Sequence, residues 1–111
     1  MSNKFNIPEW LLNSPTYYVV VIGMNSKYLY ANECFINKFN FLSDDLTSIN
    51  VIDTIYHGDY VTCESAVKEC IEQPNKVVQV KLRKPKEDNT YFWTSWDFSL
   101  LGINPILFVS Q

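Results

Sequence analysis

Few side chains in this sequence can do chemistry. His57 is the one histidine, and the three cysteines, Cys34, Cys63 and Cys70, have neither a Cys-x-x-Cys pair nor metal-site spacing. Nucleophilic catalysis needs a base beside the attacking group, and a single histidine with no Ser-centred elbow leaves few such pairs. Asp53, His57 and Asp59 come nearest to an acid–base set. They are sequence neighbours at the start of a helix and need not converge on a substrate. Cys63 and Cys70 fall on the apolar stripe of that helix, where a thiol serves as a small core residue. An odd number of free thiols fits a reducing, cytoplasmic setting. Lys81, Arg83, Lys84 and Lys86 make a basic hairpin that reads as a solvated edge, with contact to an acidic partner as the alternative. The largest candidate set is aromatic: Phe35, Phe39, Phe41, Trp96, Phe98 and Phe108. These rings either surround a pocket for a small apolar ligand or fill the space themselves, because interiors pack to crystal density.

The whole chain bounds these readings. Its 111 residues make one domain, and 47% hydrophobic residues are enough to fill a core. Net charge is −3 with Arg83 the only arginine, which argues against nucleic acid as a partner. The longest apolar run, Val19-Val20-Val21-Ile22, is far shorter than the roughly 20 residues that span a bilayer, so no membrane segment is expected. No secretory signal is expected either, because the N-terminus lacks a basic region followed by an apolar segment and a cleavage site.

The elements that must position these residues follow from pattern. Residues 1–15 form a helical lead-in: Pro8 suits the first position of a short helix through Trp10, Leu11 and Leu12, and Ser14-Pro15 stops it. Trp10 and Leu11 then need cover, from the domain's own sheet or from a dimer partner. Tyr17 to Met24 predicts a buried strand, Asn25-Ser26 a turn, and Lys27 to Ala31 a second strand. Asn32 suits an N-cap for a helix with Phe35, Ile36 and Phe39 on one face, and Asn40 suits a left-handed end. Ser43 to Leu46 predicts a short helical turn, and Asn50 caps another carrying Val51, Ile52 and Ile55. The long helix runs from about Asp59 to Gln73, with Cys63, Ala66, Val67, Cys70 and Ile71 in one stripe. Val78, Val80 and Leu82 alternate with polar residues as a half-buried strand. Lys84 to Asn89 reads as a polar loop, and Tyr91 to Leu101 as a long strand with Phe92, Trp96, Phe98 and Leu100 on one face. Gly102-Ile103-Asn104-Pro105 turns the chain into a last strand, Ile106 to Val109. Hairpins at both ends with helices between them predict an α+β domain: a five-stranded antiparallel sheet with the helices packed on one face.

That order of elements, on these residues, resembles the PAS sensor-domain family across Tyr18 to Val109. Val19-Val20-Val21-Ile22-Gly23-Met24-Asn25-Ser26-Lys27-Tyr28-Leu29-Tyr30-Ala31-Asn32 is similar to the family's strand, tight turn and strand ending in Asn. Phe41-Leu42-Ser43-Asp44-Asp45-Leu46 resembles its aromatic and paired-acid segment. Ile52-Asp53-Thr54-Ile55-Tyr56-His57-Gly58-Asp59 resembles its Asp-x-Ile-His-Pro-Asp-Asp approach to the long helix. Trp93-Thr94-Ser95-Trp96 sits where members often place a Trp on the long strand. Ser26, Asn40 and Ser48 stand where Gly is common, and Gly58 where Pro is common.

The resemblance implies a PAS-like, profilin-like topology over residues 16–111. It implies a cytoplasmic sensory or regulatory module, part of a two-component sensor histidine kinase, which catalyses nothing itself and relays a signal to a downstream output domain. The chain stops where members usually continue towards that domain. A homodimer and a small apolar ligand are the implied partners, with a dimerisation module that has a filled core as the alternative. Phe35, Phe39, Ile55, Val67, Val80, Trp96, Phe98 and Phe108 would line the pocket, and Asn32 and Asp59 would be structural. Haem is disfavoured, because His57 matches the solvent-facing position that begins the long helix rather than a haem ligand. Flavin is disfavoured because Asn32-Glu33-Cys34-Phe35 carries one residue more than the light-sensing Asn-Cys-Arg-Phe-Leu-Gln motif and lies on another helix.

Overall fold

The protein is described by a computed structural model covering residues 5–101 and 105–110. The expected turn at Gly102, Ile103 and Asn104 lies outside the described residues, as do residues 1–4 of the lead-in. After α1 (Glu9–Leu12) the elements are β1 (Tyr18–Ile22), β2 (Tyr28–Ala31), α2 (Glu33–Phe39), α3 (Tyr60–Glu72), β3 (Val78–Pro85), β4 (Tyr91–Leu100) and β5 (Ile106–Ser110). Single 3-10 turns at Leu46–Ser48, Val51–Thr54 and His57–Asp59 lead from α2 to α3. The five strands form one antiparallel sheet in the order β2-β1-β5-β4-β3. The opening hairpin therefore shares its sheet with the closing strands, as the alternation predicted.

Local chemistry fixes the corners. Ser26 sits in the β1–β2 turn at φ 65, the left-handed conformation that explains why glycine suits this place. Asn32 caps α2 through its Oδ1, which accepts from Phe35 N at 3.1 Å. Asn50 caps the Val51–Thr54 turn in a capping box with Asp53. Asn40 differs from expectation: it stays right-handed at φ −64, with its N–H still bonded to Ile36 O. The chain keeps coiling there, and Leu42 N bonds to Phe39 O, so no left-handed cap is needed. Ile36 is 40% exposed rather than on the core face with Phe35 and Phe39. The turn expected at Ser43 forms later, at Leu46–Ser48, where Asp45 supplies the cap.

The core lies between the sheet's inner face and the helices, with Phe35, Phe39, Cys63, Ala66, Cys70, Trp96, Phe98 and Phe108 at its centre. On the sheet's outer face a smaller cluster joins Ile7, Val19 and Val21 to Leu11, Leu12, Tyr30 and Leu107. The lead-in thus packs on its own sheet through Leu11 and Leu12, while Trp10 stays 68% exposed. On α3 the stripe is buried at Cys63, Ala66 and Cys70, but Ile71 at its end is exposed.

The main correction concerns β3. Its inward alternation does not stop at Leu82 but continues to Lys84, two residues on, which is 2% exposed. Lys84 pairs with Phe92 across the β3–β4 ladder and belongs to no loop. The charge run hid this, because a lysine at an inward position reads as a loop residue.

Candidate functional site

Lys84 defines the interior. Its Nζ donates to Thr54 Oγ1 at 3.0 Å. Thr54 donates its own proton to Val51 O at 2.7 Å, which leaves its oxygen free to accept from Tyr28 OH at 2.6 Å as well. The ring centroids of Trp96, Phe35 and Phe39 lie 5.3, 5.7 and 5.9 Å from Nζ, so the ammonium faces three π systems. The knot joins β2, the Val51–Thr54 turn, α2, β3 and β4 through the Thr54 hydroxyl and the Lys84 amine bonded to it. Burial among these rings pulls the Lys84 amine down to about 7. Burial pushes the neighbouring Cys63 thiol up to about 11, although the Lys84 charge pulls it the other way. Burial raises the Tyr28 hydroxyl far above its ordinary range. Among the described residues, the ion pairs are Lys76–Glu69 and Arg83–Asp59, and neither faces this amine.

Of the expected pocket residues, Phe35, Phe39, Ile55, Val80, Trp96, Phe98 and Phe108 come together in one buried cluster. Their rings contact one another: Phe98 and Phe108 stack at 3.6 Å, and Phe35 lies 4.5 Å from Phe39. Phe41 sits at the margin, 36% exposed. Val67 is half-buried and lines an open groove instead. That groove, a cavity of about 340 Å³, runs between α3, the Val51–Thr54 turn and the ends of β1 and β5. Ile22, Val51, Ile52, Val67, Ile71 and Ile106 make its walls, Cys63 lies on its inner side, and Glu64 and Lys68 carry its charges.

Asn32 does more than cap. Its Oδ1 also accepts from Val19 N at 3.0 Å, and its Nδ2 donates to Tyr17 O at 2.9 Å, so one buried amide holds α2 to β1. Asp59 lies one residue before α3, makes no cap bond, and binds β3 instead. Its carboxylate accepts from Arg83 N at 2.7 Å, Nε at 3.1 Å and Nη2 at 2.7 Å. Arg83 beside it holds the Asp59 carboxyl below its usual range, against the opposing pull of desolvation. The guanidinium lies 4.2 Å from the Tyr56 ring and 4.5 Å from that of Trp93. The basic hairpin is therefore not a uniform solvated edge: Lys84 is inside and Arg83 is paired.

His57 is exposed and packs on Tyr56 at 4.4 Å. Cys34 is half-buried, and its thiol donates to Pro15 O. Among the described residues no group of three or more His, Cys, Asp and Glu could hold a metal ion. Nor is any helix long and apolar enough to cross a membrane. The sequence reading missed Lys84, Thr54 and Tyr28. A signal existed only for Lys84, in the continued alternation of β3. Nothing local marks Thr54 and Tyr28, which are 26 residues apart and meet only in the fold.

No family model matches this sequence, and no curated protein matches it. Solved structures do. A domain of a sensory box sensor histidine kinase/response regulator from Geobacter sulfurreducens superimposes with a TM-score of 0.75 at 10% identity, covering 93% of this chain and 89% of that one. A PAS domain from a two-component sensor histidine kinase gives 0.69 at 17% identity, covering 96% and 93%. The PAS-B domain of Drosophila melanogaster Cycle, with bound ethylene glycol, gives 0.71 at 14% identity, covering 85% and 97%. The chain has the PAS fold.

Proposed function

We propose that this domain is a cytoplasmic sensory module of a signalling protein, of the two-component sensor histidine kinase kind, which binds a small apolar ligand and passes the change to an output domain. The observation that carries the reading is the apolar groove of about 340 Å³, set against the inner core where α3 meets the sheet. Occupation there would favour one packing of α3 over another, a population shift read out through the sheet and the lead-in. Two of the similar structures come from sensor histidine kinases, which supports that host. The domain itself is proposed to catalyse nothing and to work as a homodimer. Native mass spectrometry of freshly purified protein tests the ligand: a retained small molecule supports sensing, and a bare mass after gentle isolation speaks against it.

A second reading is a pairing module that senses nothing. It is favoured by the filled ring cluster and by Trp10 and Trp93, 68% and 61% exposed. Under that reading the Trp10→Ala, Trp93→Ala double variant loses self-association in light scattering and no ligand is found.

A further inference from the structure

Lys84 is a basic residue in a place built for an apolar one. It takes a buried, inward position of β3, with its amine against the rings of Phe35, Phe39 and Trp96. Among the described residues its hydrogen-bond acceptor is Thr54 Oγ1. That hydroxyl is fully used: its proton goes to Val51 O, and its two lone pairs take Tyr28 OH and Lys84 Nζ. A neutral amine brings no charge into this site. An ammonium brings a full charge and three protons, and those that do not bond Thr54 meet only π faces. Such a charge is strongly disfavoured without a paired anion. The groups that face the amine supply none. β2 presents the Tyr28 hydroxyl and α3 the Cys63 thiol, and burial raises both, so both are neutral near pH 7. α2 and β4 present rings, and Lys38 of α2 lies over Phe92 instead. Asp53 of the turn is exposed and accepts from Asn50 N, while Asp59 is held by Arg83.

We infer that Lys84 is a proton-sensing site: with the amine neutral the knot is closed, and uptake of a proton frees Lys84 from Thr54 and admits water to the amine. The proton is then a stimulus of this sensory domain in its own right, whether or not the groove is occupied. The piece that gives is the Val51–Thr54 turn. Its start is anchored by Val51 N on Ser26 O and by the Asn50–Asp53 capping box. Its last residue is held to β2 and β3 through the Thr54 hydroxyl. From there the chain runs through the His57–Asp59 turn straight into α3, so a released Thr54 is felt at the start of that helix. Burial sets the working range, because the amine titrates at about 7 with the knot closed and near 10.4 in water. The opening equilibrium of the knot must then differ on the order of a thousandfold between the charged and the neutral amine.

Trp96 reports the state of the knot: its ring lies 5.3 Å from Nζ and is 1% exposed, whereas Trp10 and Trp93 are on the surface. The test is acrylamide quenching of Trp96 fluorescence in the full chain carrying Trp10→Phe and Trp93→Phe, at about pH 6 and about pH 8.5, with circular dichroism recorded alongside. The expected result is quenching at least about threefold stronger at the lower pH, with the helix and strand signal retained. Lys84→Met in the same background should show no dependence on pH. Histidine side chains also change charge in this range, so His57→Gln is the control and must keep the response. Equal quenching at both pH values overturns the inference. So does a response that survives Lys84→Met, one that vanishes in His57→Gln, or one that comes only with loss of the circular-dichroism signal. Should Lys84→Met fail to fold, the midpoint of the quenching response must coincide with that of the Lys84 amine followed by NMR, and a mismatch overturns the inference. Each of these failures leaves the groove reading standing, since that reading is tested by a retained molecule.

Discussion

Lys84 shows how one buried amine sets the pH behaviour of a small domain. Its folded value near 7 lies below the roughly 10.4 of an unfolded lysine. Between those values the unfolded chain holds a proton that the folded chain lacks, so stability climbs as pH rises above 7. Urea unfolding is expected to give a free energy about 1.5 kcal/mol higher near pH 8.5 than near pH 7. Above that range Cys63, raised to about 11 when folded, works in the opposite direction. Lys84→Met, which keeps the volume and removes the charge, should flatten the dependence and raise stability at pH 7 by about 1–2 kcal/mol. An undiminished slope in Lys84→Met would place the titrating group elsewhere. Asn32 is the opposite case, a polar side chain with every partner in place. Asn32→Ala removes a cap and leaves Val19 N and Tyr17 O without their partners, at a cost of about 2–3 kcal/mol in the same assay. Its capping role was legible, because an Asn between a strand and a helix has few other uses. Its hold on β1 was not, since Tyr17 and Val19 meet it only once the hairpin has formed.

The free edge of β3 is closed by the segment that enters α3. Tyr56 N donates to Arg83 O at 2.9 Å, and Asp59 takes the Arg83 N–H, so both backbone groups at that residue are satisfied from outside the ladder. An open edge of this kind would invite pairing with another chain. Asp59→Ala should speed hydrogen exchange at the Arg83 amide and lower the melting temperature at neutral pH. Because the folded Asp59 pKa is depressed, its contribution is complete above the ordinary aspartate value, near 4, and fades as pH falls through the folded one. The gap in melting temperature between wild type and variant should therefore shrink in acid, and a gap that persists there would count against the carboxylate's charge as its source. Most elements were legible from period alone: the α3 stripe, the β4 alternation and the β1–β2 hairpin. Those that slipped, Asn40 and the end of β3, are places where a polar residue follows a tertiary demand over its local preference.

In the whole molecule, the sheet works on both faces. Its inner side meets the helices and the Lys84 knot, while its outer side is covered where Ile7, Leu11 and Leu12 of the lead-in pack in one cluster with Val19 and Val21. Removing the first 14 residues should uncover those valines, lower the melting temperature and increase binding of a hydrophobic dye. An unchanged melt would mean the lead-in is no part of the fold's stability. The PAS fold was readable in the order of elements; the groove was not, because its walls come from segments up to about 80 residues apart, as Ile22 and Ile106 show. The account of the interior depends on its being organised around a desolvated amine. The most direct measurement is a carbon-detected NMR titration of the Lys84 side chain in the folded protein. A midpoint near 7 is the predicted result. A midpoint near 10.4, that of a lysine in water, would contradict it and return Lys84 to the surface.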